Sequence, residues 1–224
     1  GFFDLLSIGA RIVLYMGVND CIRAINRGMS TWGKSAFDRT IAFLGLVVLS
    51  PLLVVVSILI RSRLGSPILF RQSRPGLGGL PFTIYKFRTM RDATDSHGRP
   101  LPDSERLTTL GVVLRKTSID ELPQLLNVLK GEMSLVGPRP CLPYEAEEYL
   151  RWHTNRFDSR PGMTGLWQVS GKNALTFKQM IRLDISYCRE MSLARDLLIL
   201  LRTPLAIASF VLEATVNRLR GRSA

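Results

Sequence analysis

Histidine is almost missing from this chain. Only His97 and His153 occur, so a zinc centre built on histidine ligands is not expected. The three cysteines, Cys21, Cys141 and Cys188, are odd in number and far apart, and no CxxC pair occurs. That excludes a disulfide framework and a paired-thiolate metal site, and it suits a reducing cytoplasmic setting. There is no signal peptide with a cleavage site, no internal repeat and no long low-complexity stretch. Neither a P-loop nor a full GxGxxG pattern occurs, so the familiar phosphate-cradling fingerprints are lacking. Acidic residues are scarce: 18 Asp and Glu face 30 Lys and Arg, a formal net charge of +12. An excess of that size implies an anionic partner, whether nucleic acid, a membrane surface or a phosphorylated substrate.

Hydrophobic residues, by contrast, are plentiful. They make up 46% of the chain, and mean hydropathy is positive at +0.14. That pairing is odd for a nucleic-acid binder and suits a membrane-associated protein. With 224 residues the chain can build one domain with a real core. Residues 41–60 read IAFLGLVVLSPLLVVVSILI, with no charge, and are long enough to span a bilayer. Lys34 and Arg39 precede the run and Arg61 and Arg63 follow it, so the flanks distinguish no inside from outside. Ser50-Pro51 sits at its centre. Proline there breaks a helix, and the serine hydroxyl can satisfy a carbonyl that the proline leaves free. A helix bent at that point enters and leaves by the same face and sets both basic ends against anionic headgroups. The expectation is a re-entrant helix rather than a straight span. A buried core helix is the third reading, disfavoured by the lack of any polar face. Ahead of it, residues 1–34 alternate apolar and basic positions near helical spacing. An interfacial amphipathic helix, a helix packed on a core and a remnant of a preceding region are all compatible with that pattern.

The chemistry is concentrated in residues 118–140, SIDELPQLLNVLKGEMSLVGPRP. Ser118 with Glu121 has the spacing of a helix capping box. Pro123 argues against that use, because it would fall inside the helix, whereas proline favours the first helical position. The reading places a helix over residues 123–130, stopped by Gly131. Asp120 and Glu121 then lie just ahead of a helix N-terminus, where free N–H groups favour an anion such as phosphate. Two neighbouring carboxylates there can divide the work. One attacks as a nucleophile; the other holds a divalent cation that bridges phosphates. Arg139 lies downstream of the pair.

The remaining segments read more simply. Residues 67–71 and 82–87 are short alternating runs joined by Pro75-Gly76-Leu77-Gly78-Gly79, as in a hairpin whose glycines serve a turn. The second run leads into Lys86-Phe87-Arg88, two cations near its end. Residues 91–105 read as a loop and 106–116 as a short helix. Residues 141–152 have the pattern of an amphipathic helix, and 156–171 of an ordered loop whose Met163 and Trp167 either dip into the membrane or, the favoured reading, pack on the core. Residues 177–190, carrying Asp184, are helical in pattern. The apolar run 196–201 is interrupted by Thr203-Pro204, and a last helix ends in Arg218, Arg220 and Arg222.

Taken in order, these motifs resemble the bacterial sugar transferases, the monotopic polyprenyl-phosphate phosphoglycosyl transferases. The resemblance covers roughly residues 34–205. It rests on Phe37-Asp38, Ser50-Pro51, Phe70 to Gly76, Lys86 to Met90, Arg106 with Thr108 and Gly111, Leu114-Arg115, Asp120 through Pro140, Arg160 to Gly165, Gln168 to Gly171, and Asp184 with Tyr187. It implies an α+β, mainly helical, monotopic membrane protein with a re-entrant broken helix, interfacial amphipathic helices and a small β-hairpin. The expected divisions are an N-terminal extension (1–33), a re-entrant membrane helix (34–64), a cytoplasmic catalytic domain (65–205) and a basic C-terminal helix or tail (206–224). Residues 1–33 mark either a small-type member with an extension or the catalytic portion of a larger one.

The resemblance also implies a reaction. A sugar 1-phosphate passes from a UDP-sugar to polyprenyl (undecaprenyl) phosphate at the cytoplasmic face of the bacterial inner membrane, with UMP leaving. Asp120 becomes the nucleophile that forms a covalent phosphosugar intermediate. Glu121 becomes the partner of Mg2+, and Asp184 a third acid near that metal, with a structural salt bridge as the other reading. Lys86, Arg88, Arg139 and Arg160 become phosphate and nucleotide clamps, and Arg115 the link to the broken helix. The expected partners are the UDP-sugar, the lipid phosphate and membrane lipid, with no nucleic acid; monomer and homodimer both stay open. A non-catalytic membrane-surface or scaffolding protein of the same fold is the alternative, against which the intact Asp120 and Glu121 speak.

Overall fold

The computed structural model describes residues 32–147, 149, 151–171 and 175–220. The expectations for residues 1–31 and for the Arg218, Arg220 and Arg222 side chains lie outside the described residues.

The apolar run becomes helix α1 (Trp32–Leu64), 33 residues long. By length and composition it can cross a membrane: its most apolar 18-residue window has a mean hydropathy of 2.9 and is 11% buried. Val48 is 74% exposed and Ile58 61% exposed, which no core helix tolerates. The helical assignment runs unbroken through Pro51. Pro51 has no N–H for the Val47 carbonyl one turn back. The Ser50 hydroxyl donates to that carbonyl at 2.7 Å, so the freed acceptor is satisfied and the helical run continues.

Both ends of α1 are fastened to the rest of the protein. At its start the Lys34 ammonium pairs with Asp196 at 2.5 Å, and the Ser134 hydroxyl donates to Asp38 at 2.7 Å. At its end the Arg88 guanidinium donates to the carbonyls of Leu64 and Ser66, each at 3.1 Å. The first half packs through Ala42 against Leu125 and Val128. The second half packs through Val56 and Ile60 against Phe87 and Leu114.

Strands β1 (Leu69–Pro75) and β2 (Pro81–Phe87) form the expected hairpin, antiparallel with Leu69 opposite Phe87 and Pro75 opposite Pro81. A single 3-10 turn, Leu77–Gly79, joins them, and Gly78 and Gly79 take the left-handed conformation that favours glycine. After a loop closed by α2 (Asp103–Arg106), helix α3 (Thr109–Lys116) begins on Thr108, whose hydroxyl accepts from the Gly111 N–H at 3.0 Å. A Cβ on Gly111 would lie 2.1 Å from the Thr89 carbonyl oxygen. Only glycine lets α3 rest directly on the chain leaving β2.

The central stretch departs from its expected form. Asp120 and Glu121 lie within a 3-10 turn, Ile119–Gln124, and α4 (Leu125–Lys130) starts only after it. Proline disfavours the interior of an α-helix, and among the described residues no hydroxyl takes up the carbonyl freed by Pro123 as Ser50 does beside Pro51; here the chain winds as a 3-10 turn first. Ser118 caps nothing with its side chain; it holds φ at 57°, in the left-handed region. Gly131 ends α4 at φ 82°, as expected.

Strand β3 (Ser134–Val136) pairs in parallel with β4 (Gly162–Thr164), a contact the sequence reading did not contain. The expected helix over 141–152 is instead α5 (Pro143–Glu147) followed by a 3-10 segment, Arg151–Asp158. Trp167 is buried, within the 3-10 turn Trp167–Val169. Helix α6 (Phe177–Arg189) starts on a capping box of Thr176 and Gln179. Helix α7 (Leu193–Arg220) is not interrupted at Thr203-Pro204; the Thr203 hydroxyl donates to the Ile199 carbonyl at 2.8 Å. The expected division at 205/206 therefore falls inside one continuous helix.

One buried joint holds α1, α6 and α7 together. Asp196, 1% exposed, takes the Lys34 ammonium on one oxygen and the Tyr187 hydroxyl on the other, at 2.5 and 2.6 Å. Replacing Lys34 by Met leaves Asp196 and Asp38 uncompensated. The expected loss is on the order of 3–5 kcal/mol, seen as a lower Tm in detergent micelles, with Lys34→Arg retaining most of the stability. An unchanged Tm for Lys34→Met would show that the joint carries no load.

Candidate active site

A cavity of about 1580 Å³ lies between the hairpin, α3, the 3-10 turn, the loop after β3, α1 and α7. Its wall carries more basic than acidic side chains, among them Arg71, Arg74, Lys86, Arg115 and Arg139. The left-handed Ser118 turns the chain out of α3 and directs Asp120 into this space. Asp120 is 7% exposed, and its Oδ1 has no hydrogen-bond partner among the described residues. Burial pushes its carboxyl up to about 6 and the Glu121 charge adds to that, while Lys86 and Arg115 pull it down. Glu121 takes the Lys86 ammonium at 2.5 Å. A carboxylate so placed is ionised near neutral pH yet poorly solvated, the condition of an activated nucleophile.

Lys86, Arg88, Arg115, Asp120, Glu121 and Arg139 all line this one cavity; Arg160 and Asp184 are not among its lining residues. Arg88 is spent on structure. It donates to the carbonyls of Leu64, Ser66 and Met90 and pairs with Asp92 at 2.6 Å. The link to the end of α1 expected of Arg115 is thus made by Arg88. Arg115 instead donates to the Thr89 hydroxyl at 3.0 Å and acts on Asp120 through its charge. Arg160 donates to Ser35 at 3.1 Å, against the start of α1.

Asp184 is corrected likewise. It is 1% exposed and bound to Arg156 at 2.5 Å, the salt bridge that was the other reading. Arg156 also donates to the Arg139 carbonyl at 2.8 Å and to the Tyr149 hydroxyl. The Asp184–Arg156 pair therefore holds the loop that presents Arg139. Sequence reasoning missed Arg156, because an arginine inside a loop pattern carries no sign of its distant partner. It also gave no role to Arg74 in the Phe70 to Gly76 motif. Arg74 donates to Gln72 at 2.7 Å and to the Pro140 carbonyl at 3.4 Å, bridging the hairpin to the Arg139 loop. Asn127 was missed too: fully buried, it accepts from the Tyr85 N–H and donates to the Thr83 carbonyl, tying α4 to β2.

Among the described residues no group of three or more His, Cys, Asp or Glu side chains is placed to cage a metal. Mg2+ does not need one. It binds through one or two carboxylates and completes its shell with water and substrate phosphate. The unpartnered Asp120 oxygen and the adjacent Glu121 fit that donor set; Asp184 does not.

The glycines explain how the loop reaches the cavity. A Cβ on Gly162 would lie 2.1 Å from the Gly137 nitrogen, and one on Gly137 would lie 2.4 Å from the Arg160 carbonyl oxygen. The two glycine motifs therefore meet back to back at the end of the β3–β4 ladder, and the chain swings from there through Arg139.

Comparison with known proteins agrees with this geometry. The family described as bacterial sugar transferase matches residues 29–209. An uncharacterized sugar transferase, EpsL, of Bacillus subtilis (strain 168) is 48% identical over 170 residues, covering 76% of this chain and 84% of its own. The exopolysaccharide production protein ExoY of Sinorhizobium fredii (strain NBRC 101917 / NGR234) is 41% identical over 187 residues, covering 76% and 83%. The UDP-glucose:undecaprenyl-phosphate glucose-1-phosphate transferase of Caulobacter vibrioides (strain ATCC 19089 / CIP 103742 / CB 15) is 43% identical over 180 residues, covering 76% and 67%.

The raised Asp120 carboxyl has a cost in stability. Between its ordinary value of 3.8 and about 6 the folded state keeps a proton that the unfolded state has lost. Stability therefore falls as pH rises through that window and stays lower above it. Asp120→Asn is expected to be more stable than wild type at pH 7.5, by on the order of 2 kcal/mol. The gap should narrow as the pH is lowered through 6 toward 4. Thermal unfolding in detergent at both ends of the window checks this; a less stable variant at pH 7.5 would contradict it.

Proposed function

The chain belongs to the bacterial sugar transferase family, and from that premise we propose that it moves a sugar 1-phosphate from a UDP-sugar to polyprenyl phosphate and releases UMP. The observation that carries this reading is the Asp120 carboxylate, buried with one oxygen unpartnered in a basic cavity that reaches the apolar helix α1. The printed names of relatives point the same way, one a UDP-glucose:undecaprenyl-phosphate glucose-1-phosphate transferase and another an undecaprenyl-phosphate galactose phosphotransferase.

In the first step an Asp120 oxygen attacks the phosphorus that carries the sugar. The bond from that phosphorus to the bridging oxygen breaks, and its electron pair leaves with UMP. In the second step an oxygen of the lipid phosphate attacks the same phosphorus. The acyl phosphate bond breaks, the Asp120 carboxylate returns, and the product is a polyprenyl diphosphate sugar. Asp120 needs no base, because it is already ionised near neutral pH. Lys86 and Arg139 hold the donor's phosphates, the arginine through the two-pronged contact suited to phosphate. Glu121, with Asp120 beside it, holds Mg2+, which when bound neutralises phosphate charge and favours the leaving group. Using one nucleophile for both substrates in turn predicts ping-pong kinetics.

The proposed membrane setting rests on α1. A straight helix of 33 residues extends about 50 Å, yet both ends of α1 are bound to one body. On this reading α1 bends at Ser50-Pro51 without losing its helical assignment, enters and leaves one leaflet, and sets the cavity at the level of the lipid phosphates. That leaflet is, on the same reading, the cytoplasmic one of the inner membrane, whose anionic headgroups suit basic residues on both flanks. The product then starts a bacterial glycan such as an exopolysaccharide or capsule.

A panel of UDP-sugars, with polyprenyl phosphate and Mg2+, is expected to give UMP release from at least one donor. EDTA should abolish it, and Asp120→Asn should lower it on the order of a thousandfold or more. Full activity in Asp120→Asn would remove the nucleophile from the scheme. The rate of the first step should rise with pH through about 6. Because the Lys86 charge holds the Asp120 carboxyl down, Lys86→Met should move that midpoint upward; a downward move would contradict the assignment.

A further inference from the structure

The cavity does not end at its ionic floor. It continues between two helices, lined by Leu46, Leu53 and Ser57 of α1 and by Thr203, Ala206, Ile207 and Phe210 of α7. On α7 these four recur at i, i+3, i+4 and i+7, a single stripe. The opposite stripe is apolar as well. Leu201 is 74% exposed, Leu205 71% and Leu212 65%. A helix lying on a membrane needs one apolar face. The second apolar stripe of α7 is turned inward, toward Asp120. The two helices also start from one joint, the Lys34–Asp196 pair.

A ligand that fills this whole cavity has a distinctive chemistry. At one end it meets Lys86, Arg115 and Arg139 and must be anionic. At the other it meets aliphatic and aromatic side chains and must be hydrocarbon. The outer faces of both helices are apolar as well, the kind of surface that suits a hydrocarbon medium. A UDP-sugar satisfies the first condition only, because nothing in it is hydrocarbon. We propose that the slot between α1 and α7 is the seat of the acceptor's hydrocarbon tail, which enters from the bilayer while its phosphate reaches Asp120. This rests on the transfer reaction given above and adds the place where the two substrates part company. The donor shares the ionic floor and has no use for the slot.

Filling the slot should therefore separate the two half-reactions. With Ala206→Trp, exchange of labelled UMP into UDP-sugar, which needs the donor step alone, is expected to stay at the wild-type rate. The KM for a long-chain polyprenyl phosphate should rise about tenfold or more, and that for a short-chain isoprenyl phosphate should not change. Leu205→Trp, on the outward stripe, should leave all three values as they are. Unchanged KM for the long chain in Ala206→Trp, or an equal rise for both chain lengths, overturns the proposal. Photo-cross-linking of the wild-type protein in nanodiscs with a diazirine-bearing long-chain isoprenyl phosphate reads the slot without any turnover. Labels on residues of the two inward stripes support it. Labels elsewhere, or none, overturn it even if the tryptophan variant does not fold. Absence of UMP exchange in the wild type would instead count against the reaction itself, leaving the cross-link to decide the slot.

Discussion

A carboxylate taken out of water is unstable unless cations stand close to it, and the architecture around Asp120 follows from that constraint. The residue is almost fully buried, one of its oxygens bonds to nothing among the described residues, and Glu121 adds a second negative charge beside it. Lys86 from the hairpin and Arg115 from α3 keep the site from becoming neutral. Lys86 is remote from Asp120 in the chain, and Arg115 belongs to the helix just before it, so the hairpin must dock against the end of α3 before both cations face the carboxylate. α3 docks on Thr89: Gly111 and Thr108 meet its carbonyl, and Arg115 donates to its hydroxyl. The strained Ser118 and the 3-10 turn then aim Asp120 into the gap. Strain of this kind is retained where function uses it.

A second layer of buried ion pairs serves placement rather than chemistry. Asp184 and Arg156 hold the backbone that carries Arg139. Lys34 and Asp196 hold the starts of α1 and α7 against each other, and Arg88 holds the end of α1. The Asp184–Arg156 and Lys34–Asp196 pairs join segments remote in sequence and are screened from solvent, so loss of one partner strands a charge. An apolar helix slides easily along an apolar surface, whereas these pairs admit only one register. The cavity between α1 and α7 keeps its shape for that reason.

Much of this was legible from residue order, and the legible parts share a property. The apolar run, the hydroxyl of Ser50 beside Pro51, the hairpin, the stop at Gly131 and the adjacent Asp120 and Glu121 all depend on neighbours within a few positions. Other features were misread or unseen. Arg88 and Arg115 sit in equally basic motifs, and only their partners show that one braces α1 and the other faces Asp120. Asp184 looked like a third acid until Arg156 was seen against it. Strands β3 and β4 are three residues each, too short for any periodicity to register.

What the sequence by itself determined is the local chemistry: which side chains are acidic, cationic or apolar, where a proline or glycine must turn the chain, and the order in which these come. Backbone sterics and hydrogen bonding over a few residues suffice for that. Only the tertiary structure decided which cations serve Asp120 and which are spent on carbonyls. It also decided that Asp184 lies apart from the cavity, and that α7 turns one of its two apolar stripes inward. Those outcomes depend on distances between segments far apart in the chain. Such distances are set by burial and charge pairing across the whole core, which no local window of residues contains.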